Sequence, residues 1–196
     1  MKQVCIIHGG DTYPSVKAYK QALGSRQLDY ARLLYRPRWN NWLPEHLPGV
    51  DVLLPSFPNK DNAQYDEWSL YFAKLIPFLE NDVTLIGHSL GGIFLAKFLS
   101  ESPMPGLAKK LVLIAAPYDD ELNEPLATFK LSRDATNLSI SAEEIYLFHS
   151  EDDPVVPFSE LSKYRADLQD AQVHTFQDRL HCNTATFPEL LDIIKK

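Results

Sequence analysis

The sequence predicts an α/β fold of three layers, with a mostly parallel sheet of about six strands sandwiched between helices. Three observations lead there. Six short apolar runs (Val4–Ile7, Val50–Leu54, Val83–Ile86, Leu111–Ala115, Ile145–Phe148 and Val173–Phe176) are continuous rather than alternating, as strands buried on both faces require. Segments with apolar residues at helical spacing separate them, supplying the crossovers that parallel strands need. The chain has 196 residues, 45% of them hydrophobic, which suffices for one core and a single domain over residues 1–196 without a large cap.

The first strand, Val4–Ile7, leads into His8-Gly9-Gly10. Residues 25–49 then interleave Arg26, Arg32, Arg36 and Arg38 with Tyr30, Tyr35, Trp39 and Trp42, a pattern that nucleic-acid or partner surfaces also show. The preferred reading is an amphipathic helix from Trp39 to Leu47 that packs its indoles on the sheet and leaves the arginines as a solvated face. After the second strand, residues 63–79 place Trp68, Phe72, Leu75, Ile76 and Leu79 on one stripe, with Pro77 distorting the last turn. The third strand feeds a helix carrying Ile93, Phe94, Phe98 and Leu99. Residues 117–143, too short for a large lid domain, are expected to form a short helix and a loop over the site. A helix over Phe158–Leu168 precedes the last strand. The final helix is expected to start with a capping box of Thr186 and Glu189 around Pro188 and to bury Leu190, Leu191, Ile193 and Ile194.

The formal charge of -7 argues against a general binder of phosphate backbones, which needs a basic surface. The two cysteines, Cys5 and Cys182, are too few for a disulfide framework and lack metal-ligand spacing, so free thiols and a reducing, cytoplasmic setting are expected. The first apolar run is shorter than a signal-peptide core, and no stretch approaches a membrane span. No metal, cofactor, nucleic-acid or membrane partner is expected.

The most informative stretch is Val83 to Gly92, which places Ser89 where an apolar strand meets a helix. Gly87 and Gly91 remove the Cβ atoms that would clash in a sharp reversal, so a serine there can present its hydroxyl at the tip of the turn. The free N–H groups and positive dipole end of the following helix favour the negative charge of an acyl-transfer transition state. A serine hydroxyl needs a base, and the base needs a third group to hold its tautomer.

Ligands of open parallel sheets bind beyond the carboxyl ends of the strands, so the base should lie in a loop just after one. His46 falls in a helix and His174 in a strand. His8 belongs to a loop of oxyanion type, and His88 neighbours Ser89 but points elsewhere. His149, beside an acidic loop, is a lesser alternative. His181, between the last strand and the last helix, is the preferred base. The acid comes from the loop His149-Ser150-Glu151-Asp152-Asp153-Pro154-Val155-Val156-Pro157.

These motifs resemble the α/β-hydrolase superfamily, and the chain is most similar to its small lidless serine hydrolases of the YdeN-like group. The resemblance spans nearly the whole chain. It implies Ser89 as nucleophile, His181 as general base and Asp153 as the orienting acid, with Asp152 the alternative. It implies an oxyanion hole from the backbone N–H groups of Leu90 and Gly10. Ser150 and Leu180 stand where the family usually has glycines, which puts the local backbone in question rather than the chemistry. The function expected is ester hydrolysis through an acyl-enzyme on a small-molecule acyl substrate, with Phe57, Trp68 and Tyr118 as apolar pocket walls. A peptidase or thioesterase with the same triad is the runner-up, and a catalytically silent binding module is the rival from another class.

Overall fold

The computed structural model describes residues 2–119 and 126–196, the Arg32 side chain excepted. The apolar runs become strands β1 (Lys2–Ile7), β2 (Val50–Leu53), β3 (Val83–His88), β4 (Ala108–Ile114), β5 (Ala142–Ser150) and β6 (Gln172–Phe176). They form one sheet in the order β2-β1-β3-β4-β5-β6, with every neighbouring pair parallel. Several strands outrun their apolar cores because ladder pairing continues through polar residues, as in His88 opposite Ile114 and Ser150 opposite Phe176. The register also pairs Ile7 with Gly87, so the loops leaving β1, β3, β5 and β6 emerge along one edge.

The helices are α1 (Val16–Ser25), α2 (Tyr30–Leu33), α3 (Trp39–His46), α4 (Tyr65–Leu75), α5 (Leu90–Glu101), α6 (Leu138–Ser141), α7 (Ser159–Asp167) and α8 (Pro188–Lys195). Side-chain alternation splits the apolar strands between two cores. Cys5, Ile7, Leu85, Leu111 and Leu147 pack with Trp68 and Phe72 of α4, Ile93 and Phe94 of α5, and Leu161 of α7. On the other face Val4, Ile6, Ile86, Val112 and Phe148 pack with Trp39 and Leu43 of α3 and Leu190, Ile193 and Ile194 of α8. The two cysteines are free and buried, and burial pushes both thiols up to about 12.

Two expected details differ. The stripe expected over residues 63–79 is α4 followed by a tighter 3₁₀ turn, Ile76–Phe78, because the Pro77 ring cannot continue the α-helical ladder. The capping box of α8 does not form. Phe187 occupies the cap position with no side-chain cap bond, and Glu189 instead accepts a hydrogen bond from Arg179 (2.8 Å). Of the segment 117–143, residues 120–125 lie outside the described residues, while the remainder supplies a 3₁₀ turn, Ala127–Phe129, and α6.

α5 starts hard against the end of β1: a Cβ on Gly91 would lie 2.3 Å from the Ile7 carbonyl oxygen and 2.6 Å from that of His8. Gly91→Ala should therefore lower folding stability by about 1–3 kcal/mol through overpacking. Gly24→Ala, inside α1 with nothing within 4 Å of the added methyl, should raise it by about 0.5–1 kcal/mol. Urea denaturation of the two variants checks the contrast, and equal midpoints would contradict it.

Candidate active site

A cavity of about 490 Å³ opens at the carboxyl ends of β1 and β3. β1 is flanked by β2 and β3, so chain order reverses across it, the switch point where ligands of such sheets bind. The cavity is lined by residues 8–12 after β1, 38–40 at the start of α3 and 88–90 after β3, together with Val155, Val156, His181 and Asn183. Its size suits a small molecule.

Ser89 sits at the tip of the β3–α5 turn with φ 54° and ψ -121°, a conformation that non-glycine residues adopt at a cost of roughly 1–3 kcal/mol. Neighbours on both sides hold it there. Its N–H donates to the Ile114 carbonyl (2.8 Å), and its own carbonyl accepts from the N–H of Gly92 (2.8 Å) and of Ile93 (3.3 Å). Among the described residues, Ser89 Oγ makes no hydrogen bond, and it shares the cavity wall with the His181 ring. Catalytic hydrogen bonds commonly tighten only when substrate is bound.

His181 Nδ1 donates to Asp153 Oδ2 (2.8 Å), which fixes the tautomer and leaves Nε2 bare to take a proton. The other oxygen of Asp153 accepts from the N–H groups of Val155 (2.8 Å) and Val156 (3.0 Å). Burial opposes ionisation of this carboxylate, but the hydrogen bond and charge of His181 and the two backbone donors outweigh it, holding Asp153 below the usual carboxylate range. His149 lies behind Asp153, 3.7 Å from Oδ2 and 1% exposed, and donates from Nε2 to the Val156 carbonyl (2.9 Å). It has no face on the cavity.

Asp152 makes a different set of bonds. Its Oδ1 accepts from the Ser150 hydroxyl (2.6 Å) and from the Leu180 N–H (2.9 Å), and Ser150 Oγ accepts from the Arg179 N–H (3.0 Å). The two side chains strap the turn after β5 to the loop carrying His181. Leu180 has φ 48°, so the residue standing at the family's glycine position still adopts the glycine-like backbone, and the strap holds it there.

His8 Nδ1 donates to the Gly9 carbonyl (2.7 Å), and Nε2 accepts from the Phe57 N–H (2.9 Å). Because the Gly9–Gly10 peptide is trans, drawing the Gly9 oxygen toward His8 turns the Gly10 N–H the opposite way. Leu90, the first residue of α5, carries one of the N–H groups that lack an intrahelical partner. Both Gly10 and Leu90 line the cavity. The arrangement brings a hydroxyl, an oriented imidazole and backbone donors to one space, which is what acyl transfer requires. Among the described residues, no group of three or more His, Cys, Asp or Glu side chains could hold a metal ion.

The expected pocket walls are not there. Phe57 and Trp68 are 2% and 0% exposed, packed on each other and on Phe94, and they support the His8 loop from beneath. Tyr118 turns away to Asp167, with its ring against Tyr164. Trp39, Leu90, Pro117, Leu126, Val155 and Val156 form the apolar lining instead. Two further residues escaped the sequence reading. His88 Nε2 donates to the His181 carbonyl (2.9 Å), tying the elbow to the backbone of the loop that carries His181. Arg38, read as part of a solvated face, is exposed as expected but also lines the cavity and hydrogen-bonds Asn183. Its position directly before the buried Trp39 was the available signal.

Comparisons with known proteins show the family and the fold. The model of the family described as Serine hydrolase matches residues 35–190. The serine hydrolase RBBP9 of Rattus norvegicus is 26% identical over 169 residues, covering 80% of this chain and 84% of the rat protein. Among solved structures, the ydeN gene product of B. subtilis superposes with a TM-score of 0.76 at 21% identity, covering 100% of this chain and 97% of its own. The meta-cleavage product hydrolase of Pseudomonas fluorescens IP01 gives 0.63 at 16% identity, covering 100% of this chain and 88% of its own. At these identities the two structures carry the fold alone, which is that of the α/β hydrolases.

His88 titrates well below its ordinary value. Desolvation, then the neighbouring His181, lower it from 6.5 to about 3. The unfolded chain therefore takes up a proton between those values that the folded chain does not, so the contribution of His88 to stability is complete above pH 6.5 and is lost as pH falls toward 3. Urea midpoints from pH 7 to pH 4 should fall in the wild type and fall less steeply in His88→Asn. Parallel curves would contradict this.

Proposed function

The chain belongs to the serine hydrolase family that matches it over residues 35–190, and on that premise we propose that it is a carboxylesterase working through a Ser89-His181-Asp153 triad. The reading is supported above all by the Asp153 Oδ2 to His181 Nδ1 hydrogen bond at 2.8 Å, beside a serine on a strained elbow. Ser89 Oγ attacks the ester carbonyl while His181 Nε2 takes its proton. The carbonyl oxygen gains charge opposite the Leu90 and Gly10 N–H groups. Collapse breaks the bond to the alcohol, which leaves with the proton from His181, and an acyl group stays on Ser89. Water then loses a proton to His181 and attacks the acyl carbon, and the bond to Ser89 Oγ breaks as His181 returns that proton to it, releasing the acid and restoring both residues.

Two unpaired buried cysteines suit the same proposal in a reducing, cytoplasmic setting. No helix among the described residues is long and apolar enough to cross a membrane. Asp152, bonded to Ser150 and Leu180 rather than to the imidazole, acts in this scheme as a support for the histidine loop.

The test is turnover of a short-chain ester by paired variants. Asp153→Asn should cut kcat by about 10³–10⁴-fold, because an amide at that position favours the wrong tautomer. Asp152→Asn retains an acceptor oxygen and should cost less than about tenfold, an order of magnitude in rate being about 1.4 kcal/mol. The reverse order would reassign the acid, and full activity in both would remove the triad from the mechanism.

A further inference from the structure

We propose that the substrate is an ester carrying an anionic group, a carboxylate on the acyl or alcohol portion, and that Arg38 is the residue that selects it. The inference rests on the hydrolase reading above and names the substrate class of that same site. Arg38 lies on the wall of the cavity that holds Ser89 and His181. Its Nη1 donates to Asn183 Oδ1, two residues beyond His181, and the next residue's N–H, that of Trp39, donates to the Thr184 carbonyl (2.9 Å). The start of α3 and the histidine loop are thus fastened together, and the guanidinium is fixed at their junction.

Among the described residues, no acidic side chain neutralises the charge of Arg38. Arg26 pairs with Asp11 and Arg179 with Glu189, whereas among the described residues no carboxylate lies within ion-pair distance of Arg38. Its one hydrogen-bond partner there is the neutral amide of Asn183, and a guanidinium has five N–H donors in a planar fork suited to a carboxylate. Asp11, among the described residues the only other charged group lining the cavity besides the histidines, is engaged by Arg26. The charge of Arg38 is near enough to disfavour the protonated form of His88 on the cavity wall. An anion in the cavity would answer it directly.

The surrounding sequence reinforces this. Residues 16–38 hold six of the chain's 19 Lys and Arg against one carboxylate, Asp29, in a molecule whose net charge is -7. Arg38, at the close of that segment, lines the cavity, as does Thr12, which precedes the segment. A basic run of sequence that ends on the cavity wall with Arg38, in an otherwise acidic protein, favours the approach of anionic molecules.

The experiment compares kcat/KM for the mono-4-nitrophenyl ester of succinic acid with that for 4-nitrophenyl butyrate, which has a neutral methyl end in place of the carboxylate. The wild type should favour the succinate ester by roughly ten- to a hundredfold, the size of one charge-assisted hydrogen bond, and less so at high salt. Arg38→Gln keeps a donor for Asn183 but loses the charge, and should bring the ratio near one. Arg38→Lys should retain part of it. Turnover of both esters by the wild type without preference for the anion, or an unchanged ratio in Arg38→Gln, would overturn the assignment while leaving the esterase reading intact. Turnover of neither ester would instead overturn the esterase reading, and this inference with it.

Discussion

The approach of α5 to the ends of β1 and β3 is the constraint on which the rest of the site depends. Gly91 lets the helix start within 2.3 Å, measured from an added Cβ, of the Ile7 carbonyl, and Gly87 makes the matching room on the strand side, where an added Cβ would lie 2.5 Å from the Gly91 oxygen. With the helix that close, Ser89 has to reverse through a positive φ, and the first free N–H groups of α5 face the space beyond β1. The same closeness brings the Gly9 backbone beside the serine: a Cβ on Gly9 would lie 3.1 Å from Ser89 Cβ. Packing density at this junction, rather than any single hydrogen bond, sets where the hydroxyl and the backbone donors meet.

The second half of the site is built from bonds between loops. Ser150 and Asp152 reach from the turn after β5 to the backbone of Arg179 and Leu180, Asp153 reaches the His181 ring, and His88 reaches the His181 carbonyl. Arg38 and the Trp39 N–H tie in the start of α3. The ties of His88 and Asp153 to His181 are partly sheltered from water, those of Arg38 to Asn183 and of Asp152 to the Leu180 N–H are exposed, and together they leave the imidazole little freedom. Desolvation holds His88, half-buried on the cavity wall, and the buried His149 neutral, which keeps repulsive charge away from the base in the proposed mechanism.

Much of this was legible in the sequence because it is written locally. Continuous apolar runs announced a parallel sheet, and glycines at fixed offsets from Ser89 announced the elbow. What the residues spelled less clearly depends on contacts between distant segments. Phe57 and Trp68 are aromatic and close to the site in sequence order, but aromatic area is most stabilised by full burial, and they became the support under the His8 loop rather than a wall. Arg38 looked like its solvated neighbours Arg26 and Arg36 and is exposed as they are, with only the buried Trp39 after it to set it apart locally. Its role comes from Asn183, 145 residues away. The expected capping box failed for a similar reason, since Arg179 claimed the Glu189 carboxylate.

The proposed mechanism requires Ser89 to form a covalent acyl intermediate. Intact-protein mass spectrometry after treatment with a fluorophosphonate, followed by peptide mapping, tests it directly. One equivalent of adduct on the peptide containing Ser89, absent in Ser89→Ala, is the result this account predicts. An unlabelled wild type, or an adduct on another residue that persists in Ser89→Ala, would contradict it.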